Sequence, residues 1–288
     1  MKNSIASIQA RLKTLAEQDK TAYQIVLIRY FTERLMYRIS ASAYKKHFCL
    51  KGGVLLYAYE RESSRPTMDL DLLGLHISNE QEQMKMVFQA ICQMECPEDC
   101  VSFLHETIIT SEITKEGRYS GVRIKMEGRL GNIRQLLQID VGFGDIVTPA
   151  PVEMAYPTLL PLPEPKILAY SLETVIAEKF EAMISLAAQN SRMKDFYDVY
   201  RLFENAEIDD ALLTMAIQNT FRQRETPVEP NHVVFSPEFS ENLKRQQDWG
   251  AFLRKMGRFT EVEPLIFEEV MLVIRSRLEP IYAIICVP

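Results

Sequence analysis

Between residues 51 and 71 the chain reads Lys51-Gly52-Gly53, a short apolar stretch, and then Arg65-Pro66-Thr67-Met68-Asp69-Leu70-Asp71. If Thr67 to Leu73 is a strand, its alternation puts Asp69 and Asp71 on one face and turns Met68, Leu70 and Leu72 into the core. Two carboxylates placed so closely repel each other at neutral pH unless a divalent cation supplies compensating charge. Mg²⁺ suits such a pair, because it takes one or two protein carboxylates together with the phosphates of a nucleotide. The glycines serve another purpose. Without Cβ atoms they let a strand-to-helix turn approach a triphosphate, with the free N–H groups of the helix start facing anionic oxygens. An isolated Asp-x-Asp is more often a solvated pair, so the weight rests on the glycine turn lying on the element just before it.

Two further segments bear on the same chemistry. Gln135 to Phe143 has the composition of a buried strand with Asp140 in its middle, and an isolated buried Asp is costly unless paired or metal-bound. Beside Asp69 and Asp71 it would supply the third carboxylate of a two-metal site; the alternative is an Asp that caps the following turn. From Ser171 to Leu186, apolar residues recur at helical spacing and Lys179 falls inside their stripe. It either snorkels past the core or projects toward phosphates as a point charge. In the next helical segment Asp195 and Asp198 share one face. Lys194 could pair with Asp198, and Asp195 could act as a helix cap.

Taken together these segments resemble the AbiEii/AbiGii toxin family of nucleotidyltransferases, within the DNA polymerase β-like superfamily. The likeness runs over nearly the whole chain: SIQARLKTLA and RLMYRIS, LKGGVLLYAYE, RPTMDLDLLG, QIDVGFGD, YSLETVIAEKFEAM and SRMKDFYDVYRL. The resemblance implies Mg²⁺-dependent transfer of a nucleoside monophosphate from an NTP, with pyrophosphate released. It implies Asp69 and Asp71 as metal ligands and Asp140 as the additional acidic position. Lys51, Gly52, Gly53, Arg65 and Thr67 would form the nucleotide cradle, Lys179 and Lys194 would contact the nucleotide, and Asp195 would act as base or orienting group. It further implies a toxin with a cognate antitoxin, working in phage defence, and an RNA acceptor such as the tRNA 3′ end. One departure is visible: the superfamily commonly has Gly-Ser at the cradle and this chain has Gly-Gly. Two rivals stay open, a transferase acting on a small antibiotic-type molecule and a silent partner-binding module of the same fold.

Composition narrows the class. With 288 residues, 47% hydrophobic and 25% charged, the chain can bury a sizeable core. It shows neither a signal-like start nor an apolar run near the ~20 residues that span a bilayer, so cytoplasmic residence without membrane is expected. The five cysteines are read as reduced thiols; Cys92, Cys96 and Cys100 lack paired Cys-x-x-Cys spacing and Pro97 interrupts them, which disfavours zinc. A net charge of −6 opposes indiscriminate coating of nucleic acid. Along Val122 to Leu130, however, Arg123, Lys125 and Arg129 alternate with Val122, Ile124 and Met126, giving one basic face, extended by Arg118 and Arg134, as a candidate RNA surface. Later basic residues such as Lys244 and Arg245 read as a solvated face.

The expected fold is α+β. Residues 1–46 form helices packed on the core, 47–165 a mixed-sheet nucleotidyltransferase core, and 166–288 a C-terminal helical bundle. Strands that follow one another without a helix must pair antiparallel, hence the mixed sheet. The proline-rich run from Pro149 to Pro165 reads as an extended crossover.

Overall fold

The computed structural model describes residues 3–60, 65–115, 119–256 and 265–286; Arg118 lies outside them. Two compact units emerge, one of residues 1–145 and 151–170, the other of residues 146–150 and 171–288.

The first unit opens with the expected helical hairpin, α1 (Ile5–Gln18) and α2 (Tyr23–Ala41). Ser4 caps α1 by accepting from the Ser7 N–H, and Ile8 and Leu12 are fully buried. There follow β1 (Phe48–Lys51), α3 (Gly52–Glu60), β2 (Asp69–Gly74), α4 (Gln81–Cys92), β3 (Ser102–Lys115), β4 (Tyr119–Leu130), β5 (Ile133–Phe143), β6 (Val152–Ala155) and β7 (Lys166–Ala169). The strands form one mixed sheet in the order β3-β4-β5-β2-β1-β7-β6, in which β2/β5 and β1/β7 are parallel and the other neighbours antiparallel. The proline-rich segment contains β6, bends at residues 159–162 and leads directly into β7, which gains parallel hydrogen bonds from β1 that a sequence pattern this short does not announce.

One sheet face carries the core. Leu70, Leu72, Val122, Ile124, Met126, Leu137, Ile139 and Val141 are buried, and α2 and α4 pack across the sheet. Phe31 of α2 lies against Gly128, where a Cβ would come within 2.6 Å of the ring, and meets Phe103 edge-on at 6.4 Å; Phe48 meets Phe88 of α4 at 5.5 Å. Met68 departs from the expectation. The strand begins one residue later, and Met68 is 56% exposed.

Helix α2 also buries charge that its amphipathic pattern did not reveal. Arg38 grips Asp99 with two hydrogen bonds of 2.6 and 3.1 Å and donates to the Val101 carbonyl at 2.8 Å. Glu33 accepts from the Leu159 N–H at 2.7 Å, and Arg34 donates to the Pro163 carbonyl at 3.0 Å. Irregular backbone buried against a helix needs such partners, since the segments around residues 99 and 160 have no ladder to satisfy them.

Burial, only partly offset by Arg34, pushes the Glu33 carboxyl from its ordinary 4.5 up to about 7. Between those values the folded chain holds a proton that the unfolded chain has released. Stability therefore falls as pH rises through that window and stays lower above it. Glu33→Gln keeps the acceptor for Leu159 without the charge. Its Tm, relative to the parent, should rise from pH 5 to pH 8, and an equal difference at both pH values in thermal melts would count against this account.

The second unit is helical: α5 (Leu172–Leu186), α6 (Met193–Asn205), α7 (Asp210–Gln223), α8 (Pro237–Ser240), α9 (Leu243–Lys255) and α10 (Phe267–Ile285). Phe180, Phe221, Phe235 and Tyr282 form one aromatic cluster, and Phe196, Phe239, Trp249 and Phe267 another. Helix α10 runs through Pro280. Ile281 and Tyr282 are buried on the continuing helix, so packing outweighs the lost N–H. Arg245 is no solvated residue. It is buried, donating to the carbonyls of Asn190 at 2.7 Å, Ala188 at 3.1 Å and Phe239 at 3.1 Å, which a turn of polar backbone requires. All five cysteines are free thiols. Among the described residues no helix is long and apolar enough to cross a membrane.

Candidate active site

Four neighbouring strands of the first unit place four charged residues in one line. Lys51 of β1 stands opposite Asp71 of β2, Asp71 opposite Asp140 of β5, and Asp140 opposite Arg123 of β4. Residues in register on adjacent strands share a sheet face, and Asp69, two residues before Asp71, points the same way. The three carboxylates expected from the sequence are thus brought onto one face, away from the buried side formed by Leu70, Leu72 and Ile139. What joins them is the parallel β2/β5 pairing of segments far apart in the chain.

Their partners differ. Arg123 holds Asp140 with a two-pronged grip, Nε to Oδ1 at 2.8 Å and Nη2 to Oδ2 at 2.7 Å. These hydrogen bonds keep the Arg123 guanidinium above its ordinary pKa against the opposing effect of burial, and the charges of Asp140, Asp69 and Asp71 add to the shift. Lys51 places its Nζ 2.8 Å from Asp145 and 4.9 Å from the centre of the Tyr170 ring. Sequence reasoning did not single out Asp145 as a site residue; its place just past the Gly142-Phe143-Gly144 turn was the available signal.

The glycine pair is explained by close approach. Gly52 has φ +68°, and a Cβ there would lie 2.1 Å from Asp71 Oδ2. At Gly53 a Cβ would stand 2.8 Å from Thr67 Oγ1 and 3.3 Å from Arg65 Nη2. Helix α3 begins at this point, so the predicted cradle residues Gly52, Gly53, Arg65 and Thr67 converge with Asp71 at a helix N-terminus. Gly52→Ala should displace the Asp71 carboxylate and strain the turn. We expect at least a tenfold loss of any activity that needs Asp71, with a stability cost of about 1 kcal/mol or more; unchanged kinetics would show that the contact is incidental.

Among the described residues, no three His, Cys, Asp or Glu side chains are arranged to hold a metal ion. Asp69 and Asp71 beside the glycine cradle still fit what Mg²⁺ asks of a protein, one or two carboxylates with the remaining positions left to phosphate and water. Asp140, expected as the third ligand, has both oxygens facing Arg123.

In the second unit, Lys179 of α5 reaches two carboxylates of α6, Asp195 Oδ1 and Asp198 Oδ2, each at 2.8 Å, and both carboxylates are buried. Arg192 Nε lies 2.7 Å from the other oxygen of Asp195. Burial by itself would raise the Asp195 pKa; the charges of Lys179 and Arg192 outweigh it and hold the carboxyl below its ordinary value. Asp195 sits in the first turn of α6, where the helix dipole favours an anion, while Arg192 occupies the N-cap position without a side-chain cap. Lys194 is exposed on the same helix.

Comparison with known proteins adds to this geometry. The chain is similar in fold to JHP933 from Helicobacter pylori, with 13% identity, a TM-score of 0.50, and coverage of 89% of this chain and 91% of that one. A Helicobacter pylori protein provisionally called a nucleotidyltransferase aligns at 14% identity and a TM-score of 0.48 over 89% of this chain and 94% of the other. No curated protein matches. The family model for the nucleotidyl transferase AbiEii toxin of type IV toxin–antitoxin systems matches residues 34–270, a span that contains Lys51, Gly52, Asp69, Asp71, Asp140, Lys179 and Asp195. The chain belongs to the AbiEii nucleotidyl transferase toxin family.

Proposed function

We propose that this chain transfers a nucleoside monophosphate from an NTP to a hydroxyl at the end of an RNA, with tRNA as the preferred class, and that it acts in the cytoplasm as the toxin opposite an antitoxin in phage defence. The observation that carries the reading is the charged line Lys51, Asp71, Asp140, Arg123 beside Asp69 and the glycine turn. In the reaction, the acceptor oxygen bonds to the α-phosphorus while the bond from that phosphorus to the bridging β-phosphate oxygen breaks. Pyrophosphate leaves with the electron pair, and the hydroxyl proton passes to a carboxylate or to water.

Asp69 and Asp71 would hold a Mg²⁺ ion, which when bound neutralises phosphate charge and polarises the α-phosphoryl group. The N–H groups at the start of α3, with Arg65 and Thr67, would receive the triphosphate oxygens in place of the serine hydroxyl that Gly53 lacks. Lys179, fixed by Asp195 and Asp198, would contribute a nucleotide-contacting cation, Asp195 orienting it.

An RNA acceptor is favoured over a small molecule by the sheet face that continues from the site. Lys125 lies opposite Gln138 and Ile109, Glu127 opposite Leu136, and Arg129 opposite Arg134. Ile109 is 68% and Leu136 66% exposed. Two arginines set directly opposite each other destabilise a sheet unless an anion joins them; Glu127 reaches both, at 2.7 and 3.9 Å, and phosphates would complete the neutralisation. The test is incubation with labelled NTPs, Mg²⁺ and total cellular RNA. Label in tRNA-sized RNA, lost in a Lys125→Ala, Arg129→Ala, Arg134→Ala variant that still binds NTP, is the expected result. Label confined to small molecules would favour the antibiotic-type transferase, and none with any NTP the silent binding module.

A further inference from the structure

We infer that Asp140 is a positioning residue for Arg123 and not a cation ligand, and that Arg123 supplies to the nucleotide's phosphates the positive charge a second metal ion would otherwise bring. The inference rests on the proposed nucleotidyl transfer at this site and specifies how its charge is balanced.

Three observations carry it. First, both oxygens of Asp140 are engaged by one guanidinium at 2.8 and 2.7 Å, so a cation there would have to displace two charge-assisted hydrogen bonds. Second, the contact is written into the sheet, because Arg123 and Asp140 are direct cross-strand partners on β4 and β5 and Asp140 is in turn the partner of Asp71. The guanidinium is thereby held on the same sheet face as Asp69 and Asp71, with only the Asp140 strand between them. Third, Asp140 uses only Nε and one Nη2 hydrogen of the guanidinium, and the Arg123 side chain is 37% exposed. Its remaining N–H groups can meet phosphate oxygens in the planar geometry that arginine suits and lysine does not.

The charges are consistent with this division. The Arg123–Asp140 pair is neutral, as is Lys51–Asp145. A triphosphate brings further negative charge to the sheet face of Asp69 and Asp71, and Arg123 is a cation already fixed on that face.

The experiment counts cations directly. Mn²⁺ binding would be measured by electron paramagnetic resonance and calorimetry, with and without an NTP analogue whose α,β bridge is a methylene group and therefore cannot react. The chains compared are the full-length parent, Asp140→Asn, Arg123→Ala, Arg123→Lys and Asp69→Asn, each checked for folding by circular dichroism. The parent should bind one Mn²⁺ per chain in the presence of the analogue. Asp140→Asn should leave that count and affinity unchanged but weaken analogue binding about tenfold, the effect of a lost charge-assisted contact. Arg123→Ala should weaken the analogue at least as much, with Arg123→Lys recovering only part because it keeps the charge and loses the fork. Two Mn²⁺ ions in the parent, falling to one in Asp140→Asn, would overturn the inference while leaving the transferase reading intact. Undiminished Mn²⁺ binding by Asp69→Asn would instead sink that reading, and this inference with it.

Discussion

Asp71→Ala should reduce nucleotidyl transfer by a factor of about a thousand or more while the chain stays folded. Holding a phosphate-bound cation in place is worth several kcal/mol of barrier, and each ~1.4 kcal/mol is tenfold in rate. Asp71 is half-buried beside Asp69 on one sheet face, so removing it relieves like-charge repulsion and vacates the space against Gly52. We therefore expect a Tm equal to or slightly above that of the parent, and the same pattern for Asp69→Ala. Label incorporation and thermal melts on the same preparations decide the matter: full activity in either variant would remove the metal role from β2.

Lys179→Met should be the most destabilising single change in the helical unit, costing about 3–5 kcal/mol, because it leaves Asp195 and Asp198 buried without the ammonium that serves both. For a unit of this size each kcal/mol is worth roughly 2–4 °C, so the melting temperature should drop by about 10 °C. The pH dependence gives the check. In the parent, the Asp195 pKa is held below its ordinary value, so this carboxylate contributes stability above that value and loses it as pH falls through the lowered one. Without Lys179, burial dominates and the pKa rises, so the penalty should shrink on acidification as the carboxyl protonates. Asp195→Asn and Asp198→Asn in the Lys179→Met background should recover part of the loss at neutral pH. Should Lys179→Met keep its Tm and lose only nucleotide affinity, Lys179 would be a ligand contact with no structural share.

Much of the chain could be read without coordinates. The helical hairpin, β5 and the glycine turn that opens α3 follow from apolar spacing and local backbone geometry. The Gly52-Gly53 and Asp69-x-Asp71 elements were visible for the same reason, since a left-handed turn and a two-residue alternation are properties of short segments. The misreadings have a common origin. Met68 was judged by strand alternation and Arg245 by residue type, whereas their environments are set by where a strand starts and by carbonyls more than fifty residues away. Buried Glu33, Arg34 and Arg38 on α2 escaped for the same reason, as their partners at residues 99, 159 and 163 belong to loops without a periodic signature.

By itself, then, the sequence determined which residue types could carry the chemistry and which local backbone would present them: two carboxylates on one strand face, a glycine turn before them, a lysine inside a helical stripe. Only the tertiary structure decided their company. Sheet register set Arg123 against Asp140 and Asp140 beside Asp71, and helix packing closed Lys179 onto Asp195 and Asp198. Charge is a long-range property whose meaning depends on its nearest opposite charge, and that neighbour is chosen by strand pairing and helix contact between segments distant in the chain.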